Sequence, residues 1–350
     1  MKRRLFLKVA TGLAGGYGVV GRSILHAQQS DRQTQQQSGE LPRRVLGRTG
    51  QRISVVGFPG LALAACDQRT CTDALHRVFD NGVNYFDVAP AYGDAEIKMG
   101  IGLQGIDRSR IFLACKTKMR DKDGAQAELD RSLQRLKTDY FDLYQMHAVF
   151  TPEEAKRALG AGGAIETFQE AKEQGKIKHI GFSAHTTKGA LELMNGFRFD
   201  TVMFAINFVE YFTYDFGKAV LELASQQGAA VLAMKATSGG AWPQGAERTR
   251  KWWYRTLESD EDISLALRFA LSQKPVAAAI TPSFIDLFEK AVKAAKSYRP
   301  ITEPELEKLK EMAKTCESIF RSEEKRVARG DAIRCPLYAY GPHECHTWNV

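Results

Sequence analysis

Short apolar or β-branched runs recur along the chain at residues 53–58, 84–87, 111–115, 141–146, 178–183, 201–206, 229–234 and 276–281. Each has the length of a buried strand. Between them lie helix-like stretches, Asp73 to Phe79, Gln126 to Leu136, Ile165 to Gln174, Lys188 to Met194, Gly217 to Gln226 and Ile263 to Leu271. Several end at a glycine suited to a helix C-cap, as at Asn81-Gly82, Gln174-Gly175 and Gln227-Gly228.

Eight strands alternating with helices call for a parallel sheet with right-handed crossovers, and the simplest closure is an eight-stranded α/β (TIM) barrel. Ahead of it, Arg43 to Ser54 reads as a short hairpin turning at Thr49-Gly50, placed to plug the barrel bottom. A doubly wound open sheet is the competing fold. It would want Gly-x-Gly-x-x-Gly after the first strand, where the chain has Gly57-Phe-Pro-Gly60. Ala161-Gly-Gly163 reads as a flexible entry to a helix, and Glu303 to Ser318 as a charged helix. The expected division is a barrel over 42–320 and a tail over 321–350 that wraps it.

The 350 residues, 44% of them apolar, can bury a large core, and no segment is long and apolar enough for an ordinary membrane span. The N-terminus carries a different pattern. Lys2-Arg-Arg-Leu-Phe-Leu-Lys8 precedes a weakly apolar stretch, Val9 to Gly21, and Leu25-His-Ala27 offers a small-residue cleavage site. Residues 1–27 thus read as a twin-arginine export signal, implying the twin-arginine export machinery as partner and a periplasmic destination. Their five cations come with no acid, so their removal lowers the formal charge from +8 to +3. A domain so near neutrality has no basic footprint for nucleic acid. Residues 28–41, rich in Gln and Ser, read as a polar linker.

Four polar residues stand where strands stop. Asp87 and Tyr92 lie in Asn84-Tyr-Phe-Asp-Val-Ala-Pro-Ala-Tyr-Gly93, Lys116 closes Ile111-Phe-Leu-Ala-Cys-Lys116, and His147 closes Tyr140-Phe-Asp-Leu-Tyr-Gln-Met-His147. On neighbouring parallel strands they would converge at the C-terminal edge, where α/β barrels do their chemistry. A carbonyl receiving a hydride needs a proton at its oxygen, and a tyrosine can donate it. Free Tyr has a pKa of about 10, so fast transfer near neutrality needs a lysine ammonium to favour the phenolate and a carboxylate to hold the ammonium. Tyr92, Lys116 and Asp87 are the types for those roles, with His147 as a second donor to the carbonyl oxygen.

With those residues in view, the chain resembles the aldo-keto reductase family. The matching stretches are Asn84 to Glu96, Leu129 to His147 and Glu173 to Ser183, within a weaker likeness over roughly residues 42–320. The resemblance implies an eight-stranded barrel with a hairpin plug and an oxidoreductase acting on a small carbonyl or alcohol with NADP or NAD. It assigns Tyr92 as the acid, Lys116 and Asp87 as its tuning pair, and His147 as the residue that orients the substrate. On the cofactor side it points to Ser183, Asn207, Met234 and Lys235. Two departures stand out: Ala184 replaces the asparagine usual beside the serine, and Thr281 to Glu289 lacks the arginine that would meet a 2′-phosphate. Those departures motivate an alternative, an exported ligand-binding or partner protein on a catalytically retired reductase barrel.

Gly240 to Asp262, with Trp242, Trp252, Trp253 and Tyr254, falls on the same mouth by strand order and reads as a lid with an aromatic surface. Cys115 reads as a buried thiol. Cys66/Cys71 and Cys335/Cys345 are the local disulfide pairings an exported protein permits, with Cys316 left over. A tail metal site from Cys335, His343, Cys345 and His346 fits no ordinary zinc spacing, so no metal is expected. The tail also lacks the repeated Cys-x-x-Cys of an iron–sulfur module.

Overall fold

Ten strands form in the computed structural model, which describes residues 39–330. The export signal, most of the linker and the candidate tail metal site lie outside the described residues. β1 (Arg43–Val45) and β2 (Arg52–Ser54) pair antiparallel. They are followed by β3 (Val56–Pro59), β4 (Tyr85–Asp87), β5 (Phe112–Thr117), β6 (Phe141–Val149), β7 (Ile177–Ala184), β8 (Thr201–Ala205), β9 (Ala230–Met234) and β10 (Val276–Ile280). All pairings among these eight are parallel, and they close in the order β10-β3-β4-β5-β6-β7-β8-β9. This is the (β/α)8 barrel that the alternation predicts.

The hairpin covers the bottom. Its Arg44 guanidinium donates to the Leu271 and Val276 carbonyls at 2.6 and 2.8 Å, and Leu46 and Ile53 are fully buried. Gly47, at φ 51°, sits so close to the start of β9 that a Cβ would lie 2.7 Å from the Ala230 nitrogen. The single run expected over 53–58 is two strands because Ser54 turns its polar groups inward. Its hydroxyl donates to the Val56 carbonyl at 2.8 Å, and its N–H donates to the Asn84 side chain at 2.7 Å.

Helices cover the outside, and six of the twelve α-helices among the described residues start at a side chain that accepts from a first-turn N–H: Asp67, Asp121, Thr151, Thr186, Asn207 and Ser259. Several helices escape the sequence pattern. Ala95–Gly102 holds two glycines, and a Cβ on Gly100 would lie 2.2 Å from the Arg135 carbonyl. Close helix–helix approach explains that glycine. Phe208–Tyr214 is rich in aromatics that favour strands and is helical beneath its Asn207 cap. Pro152–Leu159, Ile285–Lys296 and Arg321–Arg329 also form. Gly163 enters Ala164–Glu173 packed against the Ala158 and Arg157 carbonyls, so that entry is closely fitted. The helix expected over Glu303 to Ser318 ends at Lys314.

Inside the barrel, glycine makes room for tyrosine. A Cβ on Gly57 would meet the Tyr85 ring at 2.4 Å and the Ile280 side chain at 2.6 Å. Tyr85 therefore fills the interior just below the C-terminal edge.

Two expectations need correction. Cys66 and Cys71 are free thiols, with Cys71 Sγ directed to the Leu63 and Cys66 carbonyls and Cys66 Sγ to the Ala62 carbonyl. Burial pushes the Cys71 thiol up to about 11, which leaves little thiolate for exchange. Cys115 is a buried free thiol and Cys316 is also free; Cys335 and Cys345 lie outside the described residues. The segment Gly240 to Asp262 turns most of its aromatics inward, although residues 243–249 are exposed. Trp252 and Tyr254 are buried, the Trp242 indole donates to the Trp252 carbonyl at 2.8 Å, and only Trp253, 37% exposed, presents an open aromatic face. Among the described residues no helix is long and apolar enough to cross a membrane.

Candidate active site

β4, β5 and β6 are adjacent in the ring, and their register places Asp87 opposite Ala114 and Lys116 opposite Gln145. Side chains two apart on a strand share a face, so Tyr85 and Asp87, Lys116, and Gln145 and His147 all point into the barrel mouth. The Lys116 ammonium is buried against the Asp87 carboxylate and donates to the Val88 carbonyl at 3.2 Å. Asp87 receives two more bonds on Oδ2, from the Tyr85 hydroxyl at 3.1 Å and the Gln145 amide at 3.3 Å. A buried carboxylate is tolerable only when satisfied this fully. Burial and the Asp87 charge push the Tyr85 phenol well up, so it stays a donor.

Tyr92 stands on the turn after β4, half-buried. Its ring lies 5.4 Å from the Lys116 ammonium and 5.6 Å from the His147 ring, edge to face at 87°. His147 reaches the mouth through a break in β6. The register with β7 shifts between Met146 and Val149, and Ala148 takes a left-handed φ of 54°. His147 is 8% exposed, and burial, then the Lys118, Lys116 and Arg120 charges, hold its imidazole well below the ordinary value. His147 is thus a neutral ring. All four residues proposed from the sequence meet in one place.

The residues expected on the cofactor side occupy the next arc, β7 to β9. Ser183 Oγ accepts from the Ala148 N–H at 2.7 Å, which ties the two arcs together and leaves its own hydroxyl to donate. Asn207 is fully buried. Its Oδ1 caps the helix Phe208–Tyr214 by accepting from the Glu210 N–H at 3.0 Å, while its Nδ2 has no hydrogen-bond partner. Met234 closes β9, and Lys235 follows with a φ of 56° and its ammonium 3.4 Å from the Met234 sulfur.

A stretch that the pattern did not single out lies over this second arc. The Phe320 ring stacks on Phe216 at 5.0 Å and on His185 at 5.6 Å, and the Lys235 ammonium lies 5.3 Å from its centroid. The buried Glu210 carboxylate, pushed up by burial, anchors the stretch by accepting from the Ser318 hydroxyl and the Ile319 N–H. At the other end of the barrel a cleft of about 670 Å³ opens between the hairpin and the starts of β4 to β6. None of the four converging residues enters it.

Residues 57–314 match the family model described as the aldo/keto reductase family. The chain belongs to that family. It is 31% identical over 156 residues to the uncharacterized oxidoreductase YqkF of Bacillus subtilis (strain 168), covering 41% of this chain and 48% of that protein. It is 30% identical over 154 residues to the L-galactose dehydrogenase of Arabidopsis thaliana, covering 40% and 47%. The chain thus spans about half the length of the curated relatives it matches. The holo form of aldo-keto reductase AKR11C1 from Bacillus halodurans aligns with a TM-score of 0.65 and 24% identity, covering 80% of this chain and 99% of that one. At that identity the likeness speaks to the fold.

In this aldo/keto reductase, sequence reading missed the groups behind the four residues. Tyr85 and Gln145 lie two positions before Asp87 and His147, so strand alternation was the signal for both. Arg120, His185 and Phe320 carried no such signal, because only the closed ring brings their loops to the mouth.

Proposed function

We propose that this chain interconverts a carbonyl and an alcohol by hydride transfer with NAD or NADP, with Tyr92 as general acid and base. The observation that carries it is the buried Lys116–Asp87 pair beneath Tyr92 and His147. The β7–β9 arc suits a nicotinamide. Buried Asn207 Nδ2, without a partner, is a donor waiting for an acceptor such as a carboxamide oxygen, and Ser183 keeps a hydroxyl proton to give. Ser183, Asn207, Met234 and Lys235 would hold the cofactor, which supplies two electrons as a hydride to the carbonyl carbon.

The chain's own residues manage the proton. Tyr92 gives its hydroxyl proton to the carbonyl oxygen, and the Lys116 ammonium stabilises the phenolate left behind. Asp87, fixed by Tyr85 and Gln145, keeps Lys116 charged and oriented. His147, neutral, donates to the same oxygen and sets the direction from which the carbonyl approaches. In alcohol oxidation each proton move reverses. A retired barrel draws no more support, since the departures at Ala184 and after β10 leave the acid side complete.

The test is to purify the chain, release and identify any bound nucleotide, and assay reduction of a panel of aldehydes and ketones. Tyr92→Phe should lose about 10²- to 10⁴-fold in kcat with nucleotide affinity unchanged. Undiminished turnover in that variant removes Tyr92 from its role, and failure to bind either nucleotide removes the function.

Export is part of the same reading. The order of paired arginines, apolar stretch and small-residue site in residues 1–27 supports passage through the twin-arginine machinery to the periplasm. A folded, cofactor-loaded barrel suits that route. Replacing Arg3 and Arg4 by lysine should strand the protein in the cytoplasm, and unchanged fractionation would refute the route.

A further inference from the structure

His147 owes its place in the mouth to the residue after it. Ala148 takes its left-handed φ of 54° where the register between β6 and β7 shifts. A residue with a Cβ keeps that conformation only when its surroundings impose it. Here it is held on three sides. The Ala148 N–H donates to Ser183 Oγ at 2.7 Å, and the carbonyls before and after the kink both accept from one guanidinium. Arg120 Nη2 donates to the His147 carbonyl at 2.8 Å and to the Ala148 carbonyl at 3.4 Å.

Arg120 is itself held from behind. Its Nη1 donates to the Lys118 carbonyl at 3.0 Å, which fixes the head against its own turn. Its carbonyl accepts from the Ala164 N–H at 3.0 Å, the Lys122 N–H donates to the Gly162 carbonyl at 2.9 Å, and Asp121 and Gly163 form an isolated bridge between them. The turn after β5 is thereby fastened to the entry of the helix Ala164–Glu173. From that anchor the guanidinium reaches across to the end of β6.

A guanidinium so placed is costly. Arg120 is 8% exposed, its head donates only to backbone carbonyls among the described residues, and its Nε has no partner. A buried donor left unmet is unfavourable, so filling space does not account for an arginine here. What the arrangement secures is the direction of one imidazole, set edge to face with the Tyr92 ring. Arginine suits the task because its planar fork presents donors at fixed angles to carbonyls of two separate segments.

We propose that Arg120 is a positioning residue for the reaction: by gripping the carbonyls on either side of the Ala148 kink, it holds the His147 imidazole toward the place of the carbonyl oxygen. Arg120 acts through His147 and touches neither substrate nor cofactor. The role rests on the carbonyl–alcohol reading above, in which His147 donates to that oxygen.

The experiment is a double-mutant cycle of wild type, Arg120→Met, His147→Ala and the double variant, on the aldehyde of the panel that is turned over best. Arg120→Met should lower kcat/KM about tenfold or more, since a small displacement of a group at the reacting centre is felt strongly. In the double variant kcat/KM should stay within about twofold of His147→Ala alone, because an arginine that acts through His147 then has nothing to position. Losses that multiply across the two sites overturn the proposal, and so does an Arg120→Met variant equal to wild type. Where Arg120→Met does not fold, Arg120→Lys, which keeps the charge without the fork, carries the same cycle.

A second readout is independent of turnover. The His147 imidazole signal in proton–carbon NMR spectra, assigned by its loss in His147→Ala, should move in Arg120→Met, while that of His76 on the outer helix Gln68–Asp80 stays in place. An unmoved His147 signal overturns the proposal. A moved signal in a protein that turns over no carbonyl would keep the grip of Arg120 on His147 and overturn hydride transfer. Turnover with multiplied losses would keep hydride transfer and overturn the positioning role.

Discussion

The Tyr85 hydroxyl donates to Asp87 Oδ2 at 3.1 Å from two positions back on the same strand. The bond sets the carboxylate from below while Lys116 takes its other oxygen, and Gly57 is what admits the Tyr85 ring. The orientation of the Lys116–Asp87 pair thus depends on a residue that touches no substrate. Tyr85→Phe should lower kcat several-fold with little change in KM, and should cost about 1.5–3 kcal/mol of stability as a lost bond to a buried charge. Steady-state kinetics and urea denaturation of the variant measure both; an unchanged kcat would separate Tyr85 from the site.

Gly57→Ala places a methyl where the Tyr85 ring and the Ile280 side chain already are. Overpacking of this kind costs about 1–3 kcal/mol. The displaced ring should also carry the kinetic signature of Tyr85→Phe. A variant equal to wild type in both denaturation midpoint and kcat would contradict that packing.

Lys116→Met leaves the Asp87 carboxylate buried without its cation. The expected loss is about 3–5 kcal/mol, seen as a lowered denaturation midpoint. Adding Asp87→Leu should recover part of that loss, because the uncompensated charge goes with it. A double variant less stable than Lys116→Met alone would argue against the ion pair as the source.

The His147 and His185 imidazoles are both held well below the ordinary histidine value, by burial first and then by neighbouring cations. In the unfolded chain each takes up a proton near pH 6.5, whereas in the fold each stays neutral until well below it. The unfolded state therefore binds more protons in that window, and stability falls as pH drops below about 6.5. The contribution is at most about 1.4 kcal/mol per pH unit for each imidazole. Denaturation from pH 7.5 to 5 should show a shallower decline in His147→Gln than in wild type. Parallel curves would mean that His147 titrates normally.

The strand and helix periods were legible in the sequence because burial on both faces leaves continuous apolar runs, and helix starts carry their own capping side chains. The barrel and the candidates Asp87, Tyr92, Lys116 and His147 followed from those local signals. Where reading failed, a tertiary contact had decided the outcome. The helices Ala95–Gly102 and Phe208–Tyr214 were not singled out from the pattern, and Cys66 and Cys71 read as a local pair but turn to separate carbonyls.

The sequence by itself determined the alternation of strands and helices, the hairpin and which polar residues close which strands, since each is written in neighbouring positions. Ring closure decided the rest. It set Lys118 and Arg120 on the wall facing β9, laid Phe320 across His185 and Lys235, and brought Gln145 of the next-but-one strand onto Asp87. Partners that are 58 to 135 residues apart, such as Gln145 with Asp87 and Phe320 with His185, leave no periodic trace. Only packing around a closed barrel brings them within reach.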